Sequence, residues 1–310
     1  MKNLTGLFYA IISSATFGLI PLLALPIVAA GMDNSSILFY RFSISALIMG
    51  IIALMKRSDF TITFKQGLVV FLLGFFYAAT ALILMEAYTR IPSGIATTIH
   101  FLYPVMVSTI MIFFFKEKAS KGLLIATLMS LAGVGILSWT SNGSVNPVGI
   151  LIALTSIFTY ALYIVGIHKS SVKKMDEFAL TFYVLFFSSF IFLANALMQG
   201  GIQAIPDTNS GINILLLALF PTVVSDLTLV LAIKHIGSTT TSILGSMEPV
   251  TAVTIGVLVF NEPFGMRVFI GMSLILVAVI LVILSKQTRE ENLRLLDGIL
   301  RPLGLNKLLK

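Results

Sequence analysis

Five ionisable side chains interrupt otherwise apolar stretches of this sequence: Arg41, Glu86, His100, Asp226 and Glu248. An isolated charge in such surroundings is costly unless it is paired, so these groups are expected to face one another or an aqueous cavity. Asp226 stands eight residues before Lys234, and Glu248 ten after Ser238. The short connection between them makes their helices antiparallel neighbours and puts both carboxylates at similar depth, near mid-helix. Facing one cavity, they would repel each other, and partial dehydration would let one hold a proton near neutral pH. Alternatively they bind a substrate ammonium directly, or a structural hydrogen bond neutralises either one. Arg41 and Glu86 both fall toward the outer ends of their helices, where an ion pair or a gate is expected.

His100 and Tyr103 lie three apart on one helix face. Pro104, next to Tyr103, leaves a carbonyl of the preceding turn without its usual donor. Together they provide an aromatic wall with adjustable hydrogen bonds. Ser13, Thr16, Ser156, Thr159, Tyr160 and Tyr163 form polar stripes on two further helices. The expected substrate-binding set is His100, Tyr103, Asp226 and Glu248, completed by Tyr160, Tyr163, Thr16 and Tyr77. Small hydroxyl residues also simply pack membrane helices. The chain has no cysteine, and its three histidines, His100, His168 and His235, are far apart. No thiolate, disulfide, metal site or cofactor is therefore expected. Intramembrane protease motifs, a Gly-x-Ser-x-Gly elbow and a Walker phosphate loop are all absent, which disfavours an enzyme. No repeated ring of charge suggests a channel filter.

Hydrophobic residues make up 57% of the 310 and charged residues 11%, with a mean hydropathy of +1.03. Soluble domains carry about twice that share of charge. At ~20 residues per bilayer crossing, the chain has room for ten spans and no separate soluble domain. The spans are expected at Leu4–Gly31, bent near Pro21 and Pro26, then Ser36–Met55, Gly67–Tyr88, Ser93–Phe115 and Gly122–Thr140. A turn-rich stretch, Ser141 to Pro147, divides these from Val148–Ile167, Phe178–Met198, Ile212–Ile233, Ser238–Phe260 and Val268–Ser285. The first span is too long for the core of a signal peptide.

Lys56, Arg57, Lys65, Lys116, Lys118, Lys121, Lys169, Lys173, Lys174 and Lys234 all fall in alternate connections, against Arg90 and Arg267 in the others. The positive-inside rule then puts both termini in the cytoplasm of a cell-membrane protein. The net charge of +7 follows from this bias and does not indicate nucleic acid. Residues 286–310 interleave Leu293, Leu296, Leu300 and Leu303 with basic side chains. They read either as an amphipathic helix on anionic inner-leaflet lipid or as a frayed soluble tail.

The two halves, 1–140 and 148–285, repeat. Arg90-Ile91-Pro92-Ser93 matches His235-Ile236-Gly237-Ser238 at an offset of 145, as do Tyr103-Pro104-Val105 with Glu248-Pro249-Val250 and Lys116-Glu117 with Asn261-Glu262. Ser13, Thr16, Phe17 and Phe39-Tyr40 match Ser156, Thr159, Tyr160 and Phe182-Tyr183 at an offset of 143. Five spans per half is an odd number, so the second half enters from the opposite side. The outcome is an all-α polytopic membrane protein of two inverted five-helix repeats, with a midplane site.

Two runs, Leu102-Tyr103-Pro104-Val105 to Glu117 and Met247-Glu248-Pro249-Val250 to Glu262, resemble the EamA-type branch of the drug/metabolite transporter superfamily. So do Phe17-Gly18 and Tyr40-Arg41-Phe42, although Phe17 stands where tryptophan is frequent. The resemblance spans residues 4–285. It implies an exporter of small metabolites, amino acids or amphiphilic toxic compounds, through a central cavity, with membrane lipid around it and a coupling proton conceivable. A lipid flippase on the same bundle is the nearer alternative. The topology has a direct check in this cysteine-free background: Ser58→Cys is expected to label from the cytoplasm and Asn142→Cys from outside, and the reverse pattern would refute it.

Overall fold

The computed structural model describes residues 2–116, 143–245 and 247–278, with 125, 128, 129, 132, 133, 136, 139, 140, 280 and 281. The described chain is helical, apart from a two-stranded hairpin of Trp139–Thr140 and Gly143–Ser144. In order, the helices are α1 (Lys2–Phe17), α2 (Ile20–Ala29), α3 (Asn34–Met55), α4 (Phe64–Tyr88), α5 (Ser93–His100) and α6 (Tyr103–Phe115). They continue with α7 (Pro147–Lys169), α8 (Glu177–Met198), α9 (Thr208–Ala218), α10 (Ser225–Leu244), α11 (Met247–Phe260) and α12 (Met266–Ala278).

Among the described residues, seven helical stretches are long and apolar enough to cross a membrane: 5–29, 34–55, 64–88, 93–115, 147–169, 177–198 and 208–238. The expected ninth and tenth spans correspond to shorter apolar helices, α11 and α12. The expected fifth, 122–140, and the basic tail lie largely or wholly outside the described residues.

Polar residues at the helix starts set the boundaries. Thr63 and Gln66 form a reciprocal capping box, with the Gln66 N–H donating to Thr63 Oγ1 (3.2 Å) and the Thr63 N–H to Gln66 Oε1 (2.9 Å). Asp33, Asn146, Asp176 and Asp207 cap α3, α7, α8 and α9 in the same way. In the connection before α4, the Thr61 hydroxyl (2.6 Å) and backbone N–H (2.9 Å) donate to Asp59 Oδ1 and hold that carboxylate below its usual range.

Four breaks interrupt the apolar stretches. The first stretch turns at Gly18-Leu19, just ahead of Pro21, because a proline ring clashes with the carbonyl four residues back. Pro26, also expected to bend the chain, sits inside α2 without breaking it. A turn at Phe101-Leu102 separates α5 from α6, and a turn at Gly245 ends α10 ahead of α11, each just ahead of a proline of the repeat. Leu219–Val224, which contains Pro221, is a π-helical segment joining α9 to α10. Gly237, at φ 80°, adds a sharp kink within α10.

α1 packs along α10, α3 along α8, α4 along α7 and α8, and α5 along α11. Small residues bring these helices close. At Gly74 an added Cβ would stand 3.1 Å from both Phe187 Cβ and the Val184 carbonyl, and Ser188 Oγ donates to the Gly74 carbonyl at 2.9 Å. Leu47, Leu54, Phe64, Phe113 and Leu258 stand outward, more than half exposed, on a surface suited to lipid. Substituting Gly74→Leu should force α4 off α8 at a cost of ~1–3 kcal/mol. That loss is measurable as a lower unfolding midpoint in detergent.

Candidate functional site

The turn after α5 aims His100 at α7 and α11. His100 Nδ1 lies 2.7 Å from Ser156 Oγ, whose own proton goes to the Ala153 carbonyl at 2.6 Å. Ser156 therefore accepts here, so Nδ1 carries the imidazole proton and Nε2 is a bare acceptor in the neutral ring. Nε2 faces Glu248 Oε1 across 3.9 Å, and neither atom has another hydrogen-bond partner among the described residues. Both residues are buried. Two acceptors confront each other with no donor between them.

Phe17 (6.3 Å between centroids), Tyr160 (5.1 Å) and Tyr103 (5.4 Å) surround the His100 ring. The aromatic row continues from Tyr160 to Tyr163 (6.0 Å), then to Tyr77 (4.8 Å) and Phe42 (5.4 Å). Midway along it the Tyr163 hydroxyl donates to Asp226 Oδ1 at 2.6 Å, leaving Asp226 Oδ2 buried without a partner among the described residues. Asp226 and Glu248 thus make no direct contact. Tyr160 links their neighbours, lying against His100 on one side and Tyr163 on the other. Gly18 holds the row from the other side: a Cβ there would lie 2.7 Å from the Glu248 carbonyl and 2.7 Å from Thr251 Cβ.

The structure brings His100, Tyr103, Tyr160, Tyr163, Tyr77, Asp226 and Glu248 into this continuous cluster. The remaining expectations change. Arg41 and Glu86 do not pair: Glu86 bonds Arg90 one turn on and accepts from Asn34 Nδ2 at 3.2 Å. A partner four residues on, in the turn that follows α4, is reached without crossing the bundle. Arg41 is fully buried instead, its Nε 2.6 Å from Thr222 Oγ1 and an Nη 3.3 Å from the Pro221 carbonyl. Thr16 spends its hydroxyl on its own helix, on the Ile12 (2.7 Å) and Ser13 (3.0 Å) carbonyls.

The expected central cavity is closed. Phe17, Arg41, Tyr77, Thr80 and Tyr88 enclose a chamber of about 10 Å³, room for about one water. The larger hollow, about 640 Å³, is an apolar groove on the flank between α3 and α8, lined by Phe39, Gly50, Phe182, Phe186 and others. It holds none of the titratable groups. Among the described residues no cluster of three His, Cys, Asp or Glu could hold a metal.

Sequence reasoning missed Thr222; for Glu262, at a helix end, it gives a solvated or helix-capping contact, and the structure shows a cap, made on another helix. Glu262 reaches across to α5 and accepts from Ser93 N (2.7 Å), Ser93 Oγ (2.6 Å) and Gly94 N (3.1 Å). A proline ahead of a threonine in an apolar stretch, and a glutamate recurring with the helix starts at one offset, were the available signals.

A sequence model of the EamA-like transporter family matches residues 4–139 and again residues 147–284. The chain belongs to the EamA-like transporter family. It is accordingly a membrane transporter and not an enzyme. The uncharacterized transporter YetK of Bacillus subtilis (strain 168) is 23% identical over 259 residues, 80% of this chain and 77% of YetK. A protein of known crystal structure superposes with a TM-score of 0.68 at 16% identity, covering 93% of this chain and 98% of its own, a likeness of fold alone.

In this EamA-like chain the Glu262 cap joins α5 to the segment after α11. Glu262→Ala leaves buried donors of Ser93 and Gly94 without an acceptor, and a loss of ~1–3 kcal/mol is expected. The thermal midpoint in detergent should fall, and Glu262→Gln should fall less.

Proposed function

We propose that this protein is a secondary transporter that exports small metabolites, amino acids or amphiphilic compounds, across the cell membrane by alternating access with a coupling proton. The carrying observation is the pair of facing acceptors, His100 Nε2 and Glu248 Oε1, buried 3.9 Å apart. A site so arranged is completed by whatever brings an N–H or O–H donor. A proton on either group does this, and so does the ammonium of a substrate. Competition between the two for one site is a sufficient basis for exchange: loading substrate releases the proton, and reprotonation expels substrate.

The inverted-repeat reading, with both termini cytoplasmic, belongs to the same proposal. It is supported by the separate family match of each half and by the paired breaks ahead of Pro104 and Pro249. Half-helices broken at midplane leave backbone ends for a substrate or a neighbour to meet. In this reading the chamber of about 10 Å³ belongs to an occluded conformer, and the tail 286–310 lies on the inner leaflet. Lipid flipping is a second reading, favoured by the apolar groove between α3 and α8 that opens sideways. Loss of access to a labelled lipid headgroup in vesicles would support it.

The test is counterflow of labelled amino acids and amphiphilic cations in proteoliposomes, with and without a pH gradient. Glu248→Gln keeps the side chain's shape and removes its charge, and is expected to abolish substrate binding or the response to pH while the protein inserts normally. Unchanged transport with an unchanged pH response would refute the role given to Glu248.

A further inference from the structure

Arg41 is used by no step of the reading above, although it is the one Lys or Arg side chain buried among the described residues. A guanidinium has five N–H donors in a flat fork. One goes to Thr222 Oγ1 and one to the Pro221 carbonyl. The rest have no protein acceptor among the described residues. No carboxylate contacts it among the described residues: Arg90 holds Glu86, and Asp226, whose Oδ1 accepts from Tyr163, keeps a free oxygen but makes no ion pair with Arg41. Burying a cation with no anion in contact is unfavourable, and its two contacts with the π-helical turn at Pro221 and Thr222 leave its charge unbalanced. Arg41 also lines the closed chamber together with Tyr77, Tyr88 and Phe17.

We propose that Arg41 is the anion subsite of the transport path, its open guanidinium edge and the neighbouring Tyr77 hydroxyl taking the carboxylate of the transported solute. The planar fork matches a carboxylate through two parallel hydrogen bonds. A phosphate would bring more negative charge than one buried cation can balance. The aromatic row from Phe42 through Tyr77, Tyr163 and Tyr160 connects this subsite with the acceptor pair at His100 and Glu248. This inference rests on the transporter reading and gives it a substrate class: a zwitterion whose carboxylate meets Arg41, whose ammonium is directed toward Glu248 and whose apolar body lies along the rings.

The test compares each of two amino acids with the amine lacking its carboxylate: L-phenylalanine with phenethylamine, and L-leucine with isoamylamine. Binding is read as the rise in unfolding midpoint of the full chain in detergent. The wild type is expected to prefer each amino acid by tenfold or more. Arg41→Gln should reduce that preference below twofold while amine binding persists, and Arg41→Lys should fall between, since an ammonium keeps the charge but loses the fork. Where Arg41→Gln does not fold, Tyr77→Phe decides. It leaves both Arg41 hydrogen bonds in place and is expected to cut the preference severalfold.

Equal affinity of the wild type for acid and amine, or no binding of either pair, overturns the proposal. So does a preference undiminished in Arg41→Gln or, where that variant is unfolded, in Tyr77→Phe. Counterflow separates this failure from that of the transporter reading. Exchange that is indifferent to the carboxylate sinks the subsite alone. Arg41-dependent binding with no exchange of any solute sinks the transporter reading and leaves the subsite standing.

Discussion

A helix broken inside a membrane must be completed by its neighbours, because no water is at hand to take the exposed backbone groups. Much of this structure answers that demand. The π-helical turn at Leu219–Val224 is met from α3, by Arg41 at Pro221 and Thr222 and by Ser45 Oγ at the Ala218 carbonyl, 3.0 Å away. Thr222 adds its hydroxyl to the Leu217 carbonyl at 2.8 Å. The exposed start of α5 is met by Glu262 from beyond α11. Each repair joins two segments that are distant in sequence, so the breaks that loosen single helices also fasten the bundle.

The same economy explains the polar core. Tyr163 is matched to one oxygen of Asp226, and Ser156 to one nitrogen of His100. Each match fixes an orientation and leaves the second atom of the pair bare. Buried polar atoms are ordinarily satisfied, and three bare ones, on His100, Glu248 and Asp226, lie along a single aromatic row. Concentrating unmet hydrogen bonds in one place is what a binding site requires of a fold that is otherwise closed.

The helices were legible in the sequence because a lipid solvent allows little else. Long apolar runs, their polar caps and the prolines within them carry strong signals. Burial is another matter: counting from Lys234 and Ser238 puts Asp226 and Glu248 at mid-helix, whereas both are buried in the first turn of a helix that starts at a break. Partnership was not legible. Glu86 found Arg90 in the turn just past its own helix, a contact that local spacing would have suggested, whereas Arg41 found a carbonyl and a hydroxyl in the π-helical segment around Pro221. Thr16 matched its repeat counterpart Thr159 as a residue type, yet its hydroxyl turned to its own backbone while Thr159 met Thr80 at 2.7 Å. Rotamer choice decides such cases, and periodicity does not encode it.

The contact at Gly18 gears two parts of the bundle together. The break between α1 and α2 rests directly on the backbone of Glu248, in a space where even a methyl group would not fit. With no slack at that point, a tilt of α2 cannot proceed without displacing the first turn of α11, and so the distance between Glu248 and His100 changes with it. Whatever fills the gap between those two side chains therefore holds the lever as well as the charge. Rocking of the bundle and occupancy of the site become readings of one dial.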